Sequence, residues 1–406
     1  MSFIDEAGER YRAANRATMA WVLDRGALHG AFLDTKVNSI TLKDYGAADG
    51  VRGPGYTYGW IQGRGLESLV THATYFEAMD PGFAERLDGA GRALYGRLVQ
   101  LQAAGHAYFC YDADMRPVYA EGETIREQRA PADIFTYSDA FVAKGLVAAA
   151  ARYAPADLPE RLRYLAKVIA AIEAGRFQMD ERRPLDNEGL AAQPDDFGPR
   201  MILLGAAAML VRAGVPDAAE FAGRFIEHVL TRHYDAASGL LRNVPGEDAC
   251  NVGHGIEFVG FALDYLPQDA DRALIDILER ILLASFDKGY VGPGIALSIS
   301  LGSGHALSPN CPWWSLPETI RSAALAYQRS RNPALLETWQ KADAAFFGRY
   351  WRGTPPLAYQ TLTASGPLDF VPATPDLDPG YHTGLSLLAA IHVAEAMDPQ
   401  ATSASR

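Results

Sequence analysis

Two kinds of connection alternate along this chain, and the alternation restricts what it can fold into. Apolar residues, mostly Ala and Leu, recur at i, i+3 and i+4 over twelve stretches. They predict helices at about 2–24, 61–79, 82–104, 133–152, 158–174, 197–213, 216–232, 252–266, 269–286, 315–329, 333–350 and 380–397. After every second helix the turn is only a few residues long and carries a proline: Pro81, Pro155, Pro216, Pro267 and Pro333. Asn332-Pro333 reads as an N-cap followed by proline at the first helical position. Such turns make antiparallel helix hairpins. The other connections, about 25–60, 105–132, 175–196, 233–251, 287–314 and 351–379, are long and rich in Gly, Pro, Tyr and Asp. Segments such as Ala107 to Tyr111 are expected to pair as small hairpins. Loops of this length inside one domain usually carry function.

Alternate connections in a run of antiparallel helices lie at the same end. The six long loops therefore share one face and the five short turns the other. The expected fold is all-α: an (α/α)6 barrel of six antiparallel helix hairpins, a single domain over 1–406, with a cleft on the long-loop face. An elongated solenoid of hairpins is the alternative, but no repeated sequence motif supports it.

Composition narrows the partners. Lys+Arg number 37 and Asp+Glu 49, giving a formal charge of −12. An acidic surface argues against general nucleic-acid binding and against anionic membranes. Cys110, Cys250 and Cys311 are odd in number and far apart, which fits a reducing compartment better than a disulfide scaffold. The first residues include Asp5 and Glu6 where a signal peptide would carry basic ones, and the longest apolar run, Met201 to Val211, is too short to span a bilayer. A cytoplasmic protein is expected; a homodimer is allowed but not required.

Helices that follow a long loop start on the cleft face, with unpaired N–H groups and a positive dipole end. Their first turns are rich in polar residues: Gln62-Gly63-Arg64, Tyr137-Ser138-Asp139, Arg200, Asn251 to Glu257, Trp313-Trp314 with Glu318, and Gly380-Tyr381-His382. At i and i+3, His254 and Glu257 share a helix face, where the carboxylate can hold the imidazole in one tautomer; a capping pair is the plainer reading. Arg64 lies between two glycines and suits close approach to a ligand; a salt bridge with Glu67 is the alternative. Trp313 and Trp314 are either core or a sugar-stacking platform, and Trp60, Tyr56 and Tyr58 share that ambiguity. His29, His72, His106, His228, His233 and His392 read as structural. His305, in Gly302-Ser303-Gly304-His305, lies on a cleft loop. There is no Walker loop, no G-x-S-x-G elbow and no zinc spacing, so neither a metal nor an organic cofactor is expected.

These motifs resemble the N-acylglucosamine 2-epimerase family, which includes cellobiose 2-epimerase, mannose isomerase and sulfoquinovose isomerase. Gln62-Gly63-Arg64 resembles its Q-[GA]-R stretch, Gly253 to Glu257 its G-H-x-x-E motif, Trp313 to Glu318 its W-W-P-Q-x-E motif, and Tyr381-His382 its Y-H motif. The resemblance covers nearly the whole chain and implies an (α/α)6 barrel. It departs on the sixth helix, where M-H-L-L-E-A is replaced by Met201-Ile202-Leu203-Leu204-Gly205-Ala206, losing the His and the Glu. The W-W motif also lacks its Gln, and Gly384-Leu385 replaces the Pro-Arg after Y-H.

The resemblance implies an isomerase that moves the C2 proton of a free, open-chain sugar through an enediol(ate). His254 and His382 would act as general base and acid. Arg64 would polarise the oxygen that gains charge. Glu257 would orient His254, and Glu318 would bind a hydroxyl or stabilise a protonated His. Trp314, Tyr381, Asp139 and Arg200 complete the expected substrate contacts. Two rivals remain open: a glycoside hydrolase or lyase of the unsaturated glucuronyl hydrolase type using Asp139, Glu257 and Glu318, and a non-catalytic carbohydrate-binding barrel.

Overall fold

Caps decide where the helices begin. In the computed structural model, which describes residues 2–371 and 374–397, Ser2 and Asp5 form a capping box at the head of α1 (Phe3–Asp24). α2 (Gly59–Phe76) is followed by α3 (Pro81–Gln102), capped by Asp80 with Pro81 in the first turn. Thr136 and Asp139 form a second capping box on α4 (Tyr137–Tyr153). Next come α5 (Leu158–Glu173), the short α6 (Asn187–Ala191), α7 (Gly198–Arg212) and α8 (Phe221–Arg232). Asn251 caps α9 (Val252–Tyr265) and Asp271 caps α10 (Arg272–Gly289). α11 (Ser315–Ser330) turns into α12 (Pro333–Ala345), which Asn332 caps as its sequence predicts. A π turn (Tyr381–Leu385) leads into α13 (Ser386–Met397).

Apart from α6, these are the twelve expected helices. α2, α4, α7, α9, α11 and α13 pack in succession as an inner ring. The π turn heading α13 packs back on α2 and closes the ring, so the barrel forms rather than the open solenoid. The remaining long helices lie outside, each against its hairpin partner, and α1 covers α13. The inner helices are buried on almost every side, as a helix ringed by others must be.

Gly63 and Gly145 mark the closest approach of α2 and α4. A Cβ on Gly63 would stand 2.6 Å from the Phe141 backbone, and one on Gly145 would stand 2.5 Å from the Gly63 carbonyl oxygen. The small residues that weaken these helices locally let them cross this tightly.

The long loops fold into small sheets on one face, all antiparallel among the described residues except one. Cys110–Tyr111 pairs with Thr57–Tyr58 and with Pro117–Val118, the hairpin expected around Ala107 to Tyr111. Phe135–Thr136 pairs in parallel with Phe177–Gln178, so α4 starts at Tyr137, later than its periodicity predicts. All three cysteines are buried and free. Among the described residues no helix is long and apolar enough to cross a membrane.

Candidate active site

A cavity of about 270 Å³ opens on the long-loop face, above the N-termini of the inner helices. Arg64, His254, Glu257, Trp314 and His382 line it. It also takes in Trp60, Asn251 and Asp378.

Trp314 organises the cavity. Its ring lies over Gly253, where a Cβ would come within 2.6 Å of it. The His254 ring sits 5.5 Å from the Trp314 ring and the His382 ring 5.7 Å, both at an interplanar angle of 35°. Two histidines far apart in sequence thus meet across one indole. Asn251 Oδ1 accepts the His254 backbone N–H at 3.1 Å, while the His254 Nδ1 has no partner among the described residues. Asp378 holds His382 by accepting the backbone N–H groups of Tyr381, His382 and Thr383 at 2.9, 3.2 and 3.0 Å.

The carboxylates divide differently from the sequence expectation. Glu257 does not orient His254. One of its oxygens lies 3.9 Å from His382 Nδ1, and the other carboxylate, Glu318, bonds that Nδ1 at 3.0 Å. Glu318 is fully buried beneath His382 rather than lining the cavity, with Arg321 3.0 Å away. Burial raises the Glu318 carboxyl, but Arg321 and His382 outweigh it and hold the group below its usual range. Burial pushes Glu257 up to about 8, and the charge of Glu318 adds to the rise. The pair therefore splits, with Glu318 ionised and Glu257 protonated near neutrality. Both imidazoles are lowered, chiefly by burial; for His382 the hydrogen bond to Glu318 partly offsets this. Neutral His382 then donates Nδ1–H to Glu318 and keeps a lone pair on Nε2.

Arg64 is 8 % exposed and makes no ion pair among the described residues. Glu67, its expected alternative partner, reaches Lys144 at 3.4 Å instead. The Arg64 guanidinium lies 4.0 Å over the Phe141 ring, 5.2 Å from Trp60 and 5.3 Å from Tyr381. Burial works against its charge. A buried, unpaired guanidinium at a cavity wall is positioned for an oxygen-rich ligand.

Besides Glu318, three expected contacts are not part of the cavity lining. Tyr381 is buried and its hydroxyl accepts from Lys144 Nζ at 2.6 Å, so it supports Arg64 from behind. Asp139 caps α4 and accepts from the Ala107 N–H at 2.8 Å and the Tyr164 hydroxyl at 2.6 Å, leaving no capacity for a substrate. Arg200 faces away, with its guanidinium 5.8 Å from Phe225. Where the sixth-helix motif is lost, Ile202 lines the cavity with an apolar surface, and the space beside Gly205 is taken by Phe261 and the Lys144 ammonium.

Sequence reasoning missed Asp378 and Glu181. Asp378 lies in an irregular loop with no periodicity to mark it. Glu181 accepts from the indole N–H of Trp60 and from the Ser138 N–H at 3.0 Å, and burial pushes it up to about 8. It lines a second hollow of about 420 Å³ on the far side of Trp60.

Among the described residues two side-chain groups have metal-ligand spacing: Glu257, Glu318 and His382, and separately Asp195, His228 and His233. In the first, Glu318 already bonds His382 through one oxygen and pairs in charge with Arg321 through the other, and Arg64 and Lys144 add positive charge beside Glu257. That field suits proton transfer better than a dication.

The split between the carboxylates makes a prediction. Glu318→Gln, which cannot hold His382 as an ionised partner, should cut turnover by roughly tenfold or more, a part of what general base catalysis supplies. Glu257→Gln mimics a protonated acid, so it should keep most activity and lose the alkaline limb that titration of Glu257 near pH 8 gives the wild type. Rate–pH profiles of the two variants check this; an equal loss in both contradicts it.

The fold and site together define an (α/α)6 barrel with a histidine–carboxylate pocket on its loop face. The sequence matches no family model and no curated protein. Solved structures match it along the whole chain. A cellobiose 2-epimerase from Bacillus thermoamylovorans superposes with a TM-score of 0.70 at 16% identity, covering 96% of this chain and 99% of its own. A D-mannose isomerase gives 0.72 at 12% identity, covering 97% and 99%. A protein from Salmonella enterica serovar Paratyphi A, described as a possible member of the GH105 family, gives 0.54 at 13%, covering 96% and 95%. These likenesses establish the fold. Two of the three structures come from the same group of sugar isomerases and epimerases as the motif resemblance.

Proposed function

We propose that this protein is a sugar isomerase or 2-epimerase that moves a proton at C2 of a free, open-chain sugar or sugar derivative. The observation that carries the reading is the pair of imidazoles facing one indole, with the unpaired Arg64 guanidinium in the same cavity wall. With C1 as a carbonyl, the C2 proton becomes acidic. His382, whose Nδ1–H is held by ionised Glu318, takes that proton at Nε2. Arg64 stabilises the oxygen that gains charge, and protonated Glu257 donates a hydrogen bond to the same enediolate. His254, once protonated from solvent, delivers a proton to the opposite face of C2 for epimerisation or to C1 for isomerisation, and His382 releases the proton it took to solvent, which restores both neutral rings. The apolar surface at Ile202 offers the sugar no hydrogen bond where the family motif has its His.

A second reading has one specific support: Glu257 and Glu181 are both held protonated near neutrality, as the general acid of a glycoside hydrolase must be. A single panel separates the two. The protein is incubated with free aldoses, ketoses and uronates, and in parallel with oligosaccharides, and products are followed by NMR. Conversion of a monosaccharide or reducing-end unit with no chain cleavage is the expected result. Release of a second sugar would transfer the site to the hydrolase reading.

A further inference from the structure

Behind the wall that carries His254, a second set of side chains converges. Asp195 lies in the loop before α7, His228 lies on α8, and His233 follows the C-terminus of α8. Each offers one ligand atom within 4.8 Å of the other two. His233 is 1 % exposed, and its Nδ1 lies 3.1 Å from the Arg242 carbonyl oxygen. That bond fixes the ring proton on Nδ1 and leaves a lone pair on Nε2, which is buried and has no partner among the described residues. A histidine tied to a backbone carbonyl through one nitrogen and free at the other is in the form that ligates metal ions. His228 Nε2 is also buried and without a partner among the described residues, and the two rings lie 5.9 Å apart. A buried polar atom left unpaired is costly to the fold, so two neighbouring ones point to a shared ligand. Asp195 supplies the charge: Arg232 bonds its Oδ2 at 2.7 Å, which orients the carboxylate and leaves Oδ1 available.

We propose that Asp195, His228 and His233 bind a divalent transition-metal ion, Zn²⁺ by preference, through two imidazole Nε2 atoms and one carboxylate oxygen, with water in the fourth position. Zinc–ligand bonds of about 2.1 Å place tetrahedral ligands roughly 3.4 Å apart, so the three groups must close inward by rotation. Asp195 is exposed and His228 half-buried, which leaves them free to do so. Arg200 and Arg232 act against a dication here, while Asp195 and Asp196 act for it.

The consequence lies in the active-site wall. Phe197 touches both His233, at 5.4 Å between ring centres, and His254, at 6.2 Å. Asp196 accepts from the Asn243 amide at 3.0 Å, and Asn243 accepts from the backbone of Asn251, the cap of α9. The ion would tie the loop before α7 to the end of α8 and stiffen the support of His254.

The test uses chelator-stripped full-length protein titrated with Zn²⁺ against a chromogenic competitor, and with Co²⁺ followed by visible absorption. The expected result is one ion per chain, tetrahedral Co²⁺ bands and a rise in Tm on adding Zn²⁺. His228→Gln and Asp195→Asn should each weaken binding at least about tenfold and remove the Tm rise, with near-UV circular dichroism of the stripped protein unchanged. If His228→Gln does not fold, Asp195→Asn at its exposed position carries the same comparison. Glu257→Gln should leave binding intact. Failure to bind, binding unaffected by both substitutions, or binding lost in Glu257→Gln, which would place the ion in the sugar cavity, each overturns the proposal.

Discussion

Asparagine in place of His382 or His254 should lower turnover by about 10² to 10⁴-fold, the usual worth of a positioned general acid or base. Asparagine keeps the approximate size and some hydrogen bonding but cannot carry the proton. The two variants should differ in kind. Only His382 has a carboxylate on its Nδ1, at 3.0 Å, so His382→Asn should abolish exchange of the C2 proton with solvent. His254 Nδ1 has no partner among the described residues, which suits a group that gives and takes a proton from the other side. His254→Asn should leave exchange measurable while conversion stalls. Groups working as a unit are not additive, so the double variant should be little worse than the poorer single one. Steady-state kinetics with the confirmed substrate check this; near-wild-type turnover in either single variant refutes the two-base assignment.

Arg64→Ala should lose about 100-fold in kcat/KM, or about 2.7 kcal/mol of transition-state stabilisation. Arg64 is surrounded by the rings of Trp60, Phe141 and Tyr381 and makes no ion pair among the described residues. Its charge is costly to the fold, so removal should not destabilise it. Arg64→Met keeps the apolar stem against those rings and should lose activity as Arg64→Ala does, with Tm equal to or above that of the wild type. A destabilised variant whose folded fraction remains fully active would make Arg64 structural.

The helices and their grouping into hairpins were legible because helical periodicity and proline-marked turns are local signals. The closed ring followed from the alternation of loop lengths, although the contact that closes it, the π turn at Tyr381 on α2, leaves no mark in sequence. At the site, a residue's chain position told which end of the barrel it occupies but not where its side chain points. His254, His382, Arg64 and Trp314 face the cavity, whereas Asp139 and Tyr381 start on the same face and turn into the core. Asp139, taken as a substrate contact, proves to be a cap three residues after Thr136, hidden because the periodicity starts the helix at 133, and capping consumes its oxygens. The i,i+3 spacing suggested that Glu257 serves His254. The barrel instead brings in His382 from the last helix, a long-range pairing that spacing cannot reveal. The Asp195, His228 and His233 group lay hidden for the same reason.

The central claim is that solvent-exchangeable histidines carry the C2 proton. It is tested most directly by turning over the confirmed substrate in D2O and locating the label by NMR. The predicted result is deuterium at C2 of an epimerised aldose, or at C1 of a ketose product, with the label absent when His382→Asn replaces the wild type. A product that retains all of the substrate's C2 hydrogen, moved intact to C1, would contradict the account.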